Sequence, residues 1–155
     1  MFDKSSFEEM KKEIESLLED RKDKFESICR YLYDHVPYYN WVGFYLVDGS
    51  KKLKLGPYVG EPTVHTTISF GQGICGQAAQ TKHNFVIQDV SKETNYLSCS
   101  PDVKSEIVIP MMKNGKVIGE LDIDSHYLSP FDEKDEAFLE WICKTVISEK
   151  AAYGK

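Results

Sequence analysis

The sequence predicts an α+β domain in which helices at both ends of the chain pack against a mainly antiparallel sheet. Apolar residues recur at helical spacing before Val36 and again after Ser129. Between them lie short apolar runs separated by turns rich in glycine and proline. One turn, Asn114-Gly115, joins two such runs and is the strongest hairpin signal in the chain.

The first 36 residues are predicted to be helical. Ser6 and Glu9 match a capping box, in which a glutamate follows the cap residue by three positions. Helical spacing continues to Val36, and the polar run 19–24 is expected to divide the segment into two helices. Cys29 falls within the apolar stripe, so a buried and inert thiol is expected there.

Three strands are predicted next, at residues 41–47, 52–55 and 64–68, with a loop at 56–62. Alternation in the first strand separates two sets of residues, Val42, Phe44 and Leu46 on one face and Trp41, Gly43 and Tyr45 on the other. Because Gly43 lies between two aromatic residues, we expect a gap over the backbone that a small ligand could occupy.

A glycine-rich turn opens a short predicted helix within residues 70–80. Gly71 and Gly73 alone are weak evidence for a phosphate site, because no Lys-Ser/Thr follows them. The turn places Cys75 in the first helical turn. There the helix dipole and the free N–H groups are expected to lower the pKa of the thiol.

The second half of the chain contains a predicted strand at 84–87, an irregular stretch at 89–102, a hairpin at 105–125 and a final helix capped by Asp132. The irregular stretch carries Cys99 in a polar setting. A cysteine in a polar loop is expected to be exposed and functional rather than part of the core.

Three acids share one face of the second hairpin strand: Glu120, Asp122 and Asp124. They form either a solvated outer face or a covered face, on which at least one carboxyl must be protonated or matched to a cation. A plain two-residue turn would place Glu106 opposite Ile123, away from the three acids. We therefore predict a bulge, with Pro110 as its place, or a turn of different length.

Composition limits the function. A chain of 155 residues with 41% hydrophobic and 28% charged residues fits one globular domain. Its net charge of −6 argues against a nucleic-acid partner, and no apolar run reaches membrane-spanning length. No secretory signal is visible, so a cytoplasmic location with reduced cysteines is expected. The four cysteines show no Cys-x-x-Cys spacing, so no metal site is predicted.

Four motifs together resemble the GAF domain family: Asn40-Trp-Val-Gly-Phe-Tyr45, Phe70-Gly-x-Gly-x-Cys-Gly76, Ser105-Glu-Ile-Val-x-Pro110 and Gly119-x-Leu-Asp-Ile-Asp-Ser125. The resemblance is closest to the free methionine-(R)-sulfoxide reductases. It implies a single GAF domain over residues 1–155, with a helical leader at 1–36, the sheet and pocket at 40–128 and a C-terminal helix at 130–152. The implied fold has about six antiparallel strands, the terminal helices on one face, and loops with a short helix enclosing a pocket on the other.

The resemblance also implies a reaction. Cys99 matches the cysteine that attacks the sulfoxide sulfur, and Cys75 matches its disulfide partner. The acidic pocket and aromatic walls of the family correspond to Glu106, Asp122, Asp124, Trp41 and Tyr45. No bound cofactor is implied, and an external dithiol such as thioredoxin would restore the thiols. The partners expected are therefore a small substrate and a thioredoxin-like reductant, with a homodimer as the assembly common among GAF domains.

Departures from the family leave alternatives open. His65 stands where the family often has a third cysteine, and the residues around Cys99 differ from the usual pattern. Glu120 is a charge where an apolar residue is more usual. The alternative function is a stand-alone GAF module that binds a small ligand or senses redox state without catalysis. A metal site built from His65, Cys75, Cys99 and the acids has little support, because its ligands would be of mixed softness.

Overall fold

The computed structural model describes residues 2–19, 22–98 and 100–153, with only the backbone described for 149–153. The helices are α1 (Phe7–Glu19), α2 (Lys24–His35), α3 (Gly73–Thr81) and α4 (Glu133–Tyr153), and 3₁₀ turns span Lys4–Ser6 and Val90–Lys92. The strands are β1 (Trp41–Asp48), β2 (Lys52–Val59), β3 (Thr67–Ser69), β4 (Phe85–Ile87), β5 (Ser105–Lys113) and β6 (Lys116–Ser125).

The strands form one sheet in the order β3-β2-β1-β6-β5-β4, and every neighbouring pair is antiparallel. The predicted α+β class and six-stranded antiparallel sheet are therefore confirmed. The break between the first two helices is confirmed as well, since α1 ends at Glu19 and α2 begins at Lys24. None of the described helices combines the length and the apolar character that crossing a bilayer requires.

The sheet separates two apolar cores. The larger core joins α1, α2 and α4 to the face that carries Val42 and Phe44. The smaller core lies on the opposite face, where α3 covers Trp41 and Tyr45. The alternation predicted for the first strand is thus confirmed. Cys29 is buried in the larger core, as predicted. The smaller core is the part of the fold that positions the candidate site.

A β-bulge in β6 resolves the register of the hairpin. Met112 pairs with Val117, but Met111 pairs with Gly119, so Ile118 is the extra residue. The shift puts Glu106 directly opposite Asp124. The predicted bulge is confirmed, although it lies next to Met111 rather than at Pro110. The bulge also turns Val117 towards the smaller core, whereas Leu121 and Ile123 belong to the larger core.

The structure differs from the prediction at β2 and β3. Strand β2 continues through Gly56 and Pro57, which the sequence placed in a loop. An irregularity in the β1–β2 register next to Gly43 accommodates the proline, which cannot donate to the ladder. Strand β3 is Thr67–Ser69, whereas Val64 lies in the preceding loop and is 85% exposed.

The cap predicted for the last helix is confirmed. The Asp132 side chain accepts hydrogen bonds from the backbone N–H groups of Lys134 at 2.9 Å and Asp135 at 3.3 Å. The Ser6 hydroxyl differs from the predicted capping box, because it donates to the carbonyl oxygen of Asp3 at 2.7 Å. Asp3 itself caps the 3₁₀ turn that leads into α1.

Candidate active site

Antiparallel pairing aligns the candidate residues in two rows across the sheet. In one row, Asp124 of β6 lies between Trp41 of β1 and Glu106 of β5. Four residues earlier in β6, Glu120 pairs with Tyr45 on one side and with Pro110 on the other, and Asp122 lies midway between these two rows. Because residues two apart in a strand share a face, all four acids lie on the side covered by α3.

All four acids are buried, with 0–6% of each residue exposed. This excludes the solvated outer face that the sequence left open. Within the described residues, both carboxyl oxygens of Glu120 and the Oδ1 atoms of Asp122 and Asp124 have no hydrogen-bond partner. Buried polar atoms normally have partners, so these oxygens indicate a site for a ligand or for protons.

Burial sets the protonation of this face. Burial raises the pKa of Asp122, and it raises the pKa of Glu120 and Asp124 well above their ordinary values. The charge of Asp122 further raises the pKa of Glu120 and of Asp124. The cause is the loss of water around the charged form, reinforced by like charges close by. Glu120, Asp122 and Asp124 therefore hold protons at pH values where exposed carboxyls have lost them.

Cys75 lies at the third position of α3 and is only 5% exposed. Its Sγ donates to Oε2 of Glu106 at a distance of 3.9 Å. Burial raises the pKa of this thiol well above its ordinary value, and the charges of Asp122, Glu120 and Glu106 add to the effect. The predicted lowering of the pKa was wrong, because burial and the neighbouring acids outweigh the dipole of a nine-residue helix.

A cavity of about 20 Å³ lies between α3 and the acidic face. Its lining consists of Tyr45, His65, Ile68, Ile74, Cys75, Leu97, Glu106 and Asp122. This volume holds about one water molecule, for which roughly 10–15 Å³ is needed. The cavity is therefore closed to a ligand as large as an amino acid in this conformation.

Two loops close the cavity. The His65 ring donates from Nε2 to the carbonyl oxygen of Ser98 at 2.9 Å, and its own carbonyl oxygen accepts a hydrogen bond from the Tyr45 hydroxyl at 2.7 Å. Asn95 ties the second loop to the start of α3, since it accepts from the N–H of Gly73 and donates to the carbonyl of Gly71, both at 2.8 Å. These contacts join both loops to the body of the domain.

The aromatic residues lie deeper than expected. Trp41 is buried, stacks on Tyr58 with ring centroids 5.3 Å apart, and donates from Nε1 to the carbonyl oxygen of Glu61 at 2.9 Å. The gap predicted over Gly43 was wrong, because a Cβ there would lie 2.5 Å from the Trp41 ring and 2.8 Å from Tyr58. Trp41 itself fills that space.

The structure brings four predicted site residues to the cavity wall: Tyr45, Cys75, Glu106 and Asp122. Trp41 and Asp124 lie on the same face but outside that wall. Cys99 lies outside the described residues, while Leu97, two positions earlier, lines the cavity. His65, which lines the cavity, and Glu120, which is buried on the same face, were not among the predicted catalytic or substrate-binding residues. The alternation of β6 already grouped Glu120 with the two aspartates, and this was the signal that could have identified it.

Three side chains of the wall are of types that bind metals. The Sγ of Cys75 and one carboxyl oxygen each of Glu106 and Asp122 lie within 4.8 Å of one another. The set considered from the sequence also included His65. In the structure, Nε2 of His65 instead donates a hydrogen bond to the carbonyl oxygen of Ser98.

Comparison with known proteins finds similarity to GAF domain proteins and to free methionine-R-sulfoxide reductases. A family model described as GAF domain matches residues 20–147. The chain is 39% identical over 140 residues to GAF domain-containing protein A of Dictyostelium discoideum, spanning 89% of this chain and 88% of that protein. It is 41% identical over 110 residues to the free methionine-R-sulfoxide reductase of Saccharomyces cerevisiae, spanning 69% of this chain and 61% of that protein. The X-ray structure of free methionine-R-sulfoxide reductase from Neisseria meningitidis in complex with its substrate is similar with a TM-score of 0.91 and 35% identity, covering 98% of this chain and 93% of that chain.

Proposed function

Because the chain belongs to the GAF domain family, we propose that its acidic pocket reduces free L-methionine-(R)-sulfoxide to methionine. The protein is an oxidoreductase of the free methionine-R-sulfoxide reductase type. One observation carries the proposal: the Cys75 thiol and the carboxyls of Glu106 and Asp122 meet at one cavity. That cavity lies in a chain 35% identical to a reductase solved with its substrate.

The proposed nucleophile is Cys99. Burial raises the pKa of the other three thiols, Cys29, Cys75 and Cys143, which makes each of them a poor thiolate at neutral pH. In the first step the sulfur of Cys99 attacks the sulfoxide sulfur. The oxygen takes up a proton and ends on Cys99 as a sulfenic acid, while the methionine sulfur is reduced by two electrons.

The acids have two roles in this step. The raised pKa of Asp122 suits it to donate the proton to the departing oxygen, and Asp122 lines the cavity. Glu106 and Asp124, opposite each other in the ladder, hold the ammonium group of the free amino acid. A cation bound between buried carboxyls satisfies charges that the protein otherwise neutralises with protons.

Cys75 is the proposed resolving thiol. It displaces the hydroxyl of the sulfenic acid, so that a Cys75–Cys99 disulfide forms and one water molecule leaves. Leu97, two positions before Cys99 in the sequence, lines the same cavity as Cys75, and this observation supports the proposed pairing. An external dithiol such as thioredoxin then reduces the disulfide. A cytoplasmic location suits this cycle, since thiols are kept reduced there.

Substrate entry requires the two loops to move. A cavity of about 20 Å³ is far below the 300–1,000 Å³ of ordinary ligand pockets. The hydrogen bond from His65 to Ser98 joins the two loops and is the contact that must break first. Asn95 anchors the second loop to α3, so we expect the segment after it to open.

The second candidate is a GAF module that binds a small ligand or senses redox state without turnover. The closed cavity and the protonated Cys75 thiol favour it, because neither is poised for chemistry in this conformation. In this case a Cys75–Cys99 disulfide would still form under oxidation, but methionine sulfoxide would not be consumed.

The test compares reductants. Wild-type protein, Cys99→Ser, Cys75→Ser and Cys143→Ser are assayed for methionine formed from free methionine-(R)-sulfoxide, with dithiothreitol or with thioredoxin. We expect no turnover from Cys99→Ser, and from Cys75→Ser turnover with dithiothreitol only. Cys143→Ser is the control, because the Cys143 thiol faces the larger core. This variant should turn over the substrate with either reductant. Equal activity of Cys75→Ser with both reductants would contradict the resolving role.

A further inference from the structure

The wall of the small cavity presents a thiol and two carboxyls to one point. The three ligand atoms, Sγ of Cys75 and an oxygen each of Glu106 and Asp122, lie within 4.8 Å of one another, and all three residues are buried. We propose that these residues bind a divalent transition-metal ion of the zinc type. The proposal concerns binding in the reduced protein and does not depend on the proposed turnover.

The distance within the cluster fits such an ion. In a tetrahedral site, Zn–S bonds of ~2.3 Å and Zn–O bonds of ~2.0–2.2 Å set sulfur and oxygen about 3.5–3.7 Å apart. The separation of Cys75 Sγ and Glu106 Oε2 is 3.9 Å. A movement of a few tenths of an ångström would therefore bring these two atoms to the separation found in a tetrahedral site.

The cavity has the size of an ion. Its volume of about 20 Å³ accommodates one particle as large as a water molecule. The three ligand residues are all part of its wall. A metal ion therefore fits without opening the loops, whereas an amino acid requires them to open.

Unpartnered oxygens provide an independent observation. Asp122 Oδ1 and both carboxyl oxygens of Glu120 are buried without hydrogen-bond partners in the described part of the chain. The ion pairs found among those residues involve neither acid. A divalent cation would bind the Asp122 carboxylate directly. Its positive charge would also lower the cost of burying the nearby Glu120 carboxyl. Glu120 lies two residues from Asp122 on the same face of β6.

The donor set selects the kind of ion. A thiolate with carboxylate oxygens suits metals of intermediate softness such as Zn²⁺ and Co²⁺. Mg²⁺ and Ca²⁺ take oxygen ligands almost exclusively and prefer six or more of them. The site should therefore discriminate strongly against these two ions, which serve as controls for simple attraction to acidic residues.

The experiment titrates Co²⁺ and Zn²⁺ into the metal-free full chain, kept reduced with a phosphine rather than a thiol. Wild type should bind one Co²⁺ per chain with a thiolate-to-cobalt charge-transfer band, and Zn²⁺ should displace it. Cys75→Ser should lose the band. Because even an outer-shell partner is worth about 10–100-fold in metal affinity, loss of this ligand should weaken Zn²⁺ binding at least as much.

Matched variants separate the site from other thiols. Cys99→Ser and Cys143→Ser should keep the band, and Asp122→Asn should keep it with weaker affinity. Circular dichroism checks folding, and Asp122→Asn carries the test where Cys75→Ser does not fold. The proposal is overturned by a wild type without the band, or by a band that survives in Cys75→Ser and disappears in Cys99→Ser. Reductase assays with a chelator present test the proposed turnover separately from metal binding.

Discussion

Glu106 and Asp124 face each other across the β5–β6 ladder, and this pairing exists because Ile118 is an extra residue in β6. Without the bulge, every residue of β5 before Met112 would be shifted by one position relative to β6. Glu106 would then lie opposite Ile123, whose side chain belongs to the larger core. The bulge thus gathers carboxyls from two strands on one face.

Gly119 next to this bulge should not tolerate a side chain. A Cβ at this position would lie 2.7 Å from the carbonyl oxygen of Tyr45 and 2.8 Å from Met111 Cε. We expect Gly119→Ala to lower the free energy of unfolding by about 1–3 kcal/mol, as overpacking does elsewhere. Urea denaturation measures the change, and Lys116→Ala on the exposed start of β6 should stay within about 0.5 kcal/mol. An unchanged midpoint for Gly119→Ala would show that the close approach is not required.

The buried Glu120 should make stability depend on pH. Because burial raises its pKa well above the ordinary 4.5, the folded protein keeps a proton that the unfolded chain releases. Stability from this group is therefore present at low pH and is lost as pH rises through the window between the two pKa values. Each pKa unit corresponds to about 1.4 kcal/mol.

Glu120→Gln removes this titration while keeping the shape of the side chain. We expect the variant to exceed wild type in stability at pH 8, and the difference to shrink at pH 5. Denaturation at both pH values measures this. Glu15→Gln, on the exposed side of α1, should follow wild type. A constant difference between pH 5 and pH 8 would contradict the assignment.

The acids should make the reaction selective for a free amino group. N-acetylation of methionine sulfoxide removes the positive charge that Glu106 and Asp124 are proposed to hold. A hydrogen bond to a charged group is worth about 1.5–3 kcal/mol, so kcat/KM should fall by roughly 10–150-fold. Steady-state kinetics with the free and acetylated (R)-sulfoxides measure the ratio. Equal kcat/KM values would show that the acids do not read the ammonium group.

His65 should control access to the cavity. His65→Ala removes the hydrogen bond to Ser98, and a loss of about 1 kcal/mol would raise the open population about fivefold. In a Cys99→Ser background, mass spectrometry should show alkylation of Cys75 accelerated to that extent. His35→Ala is a matched control, because the His35 ring is hydrogen-bonded to the Tyr31 carbonyl oxygen within α2. Unchanged labelling of Cys75 in His65→Ala would show that the hydrogen bond from His65 to Ser98 does not control access to the cavity.

The sequence was informative wherever local pattern decides structure. Alternation assigned the faces of β1. The conflict between Glu106 and Ile123 predicted a bulge or a turn of different length, although the bulge lies next to Met111 rather than at Pro110. Long-range packing decided the rest. The pKa of Cys75 depends on acids contributed by β5 and β6, which the position in α3 does not reveal. The space over Gly43 depends on how the Trp41 ring folds back against Tyr58.

Glu120 is the most instructive difference. As an isolated residue it was an unusual charge on a strand, and its complete burial follows only from the way α3 covers the sheet. The two loops that close the cavity were also beyond sequence reasoning. Their closure depends on hydrogen bonds between residues 33 positions apart, such as that of His65 with Ser98.

The most direct test of the proposed function is the formation of methionine from free L-methionine-(R)-sulfoxide by the purified protein with dithiothreitol. The (S)-epimer and the Cys99→Ser variant are measured beside it. We expect wild type to turn over the (R)-epimer, and we expect no turnover of the (S)-epimer or by Cys99→Ser. Absence of turnover by folded, reduced wild type would contradict the reductase assignment and favour the ligand-binding or redox-sensing module.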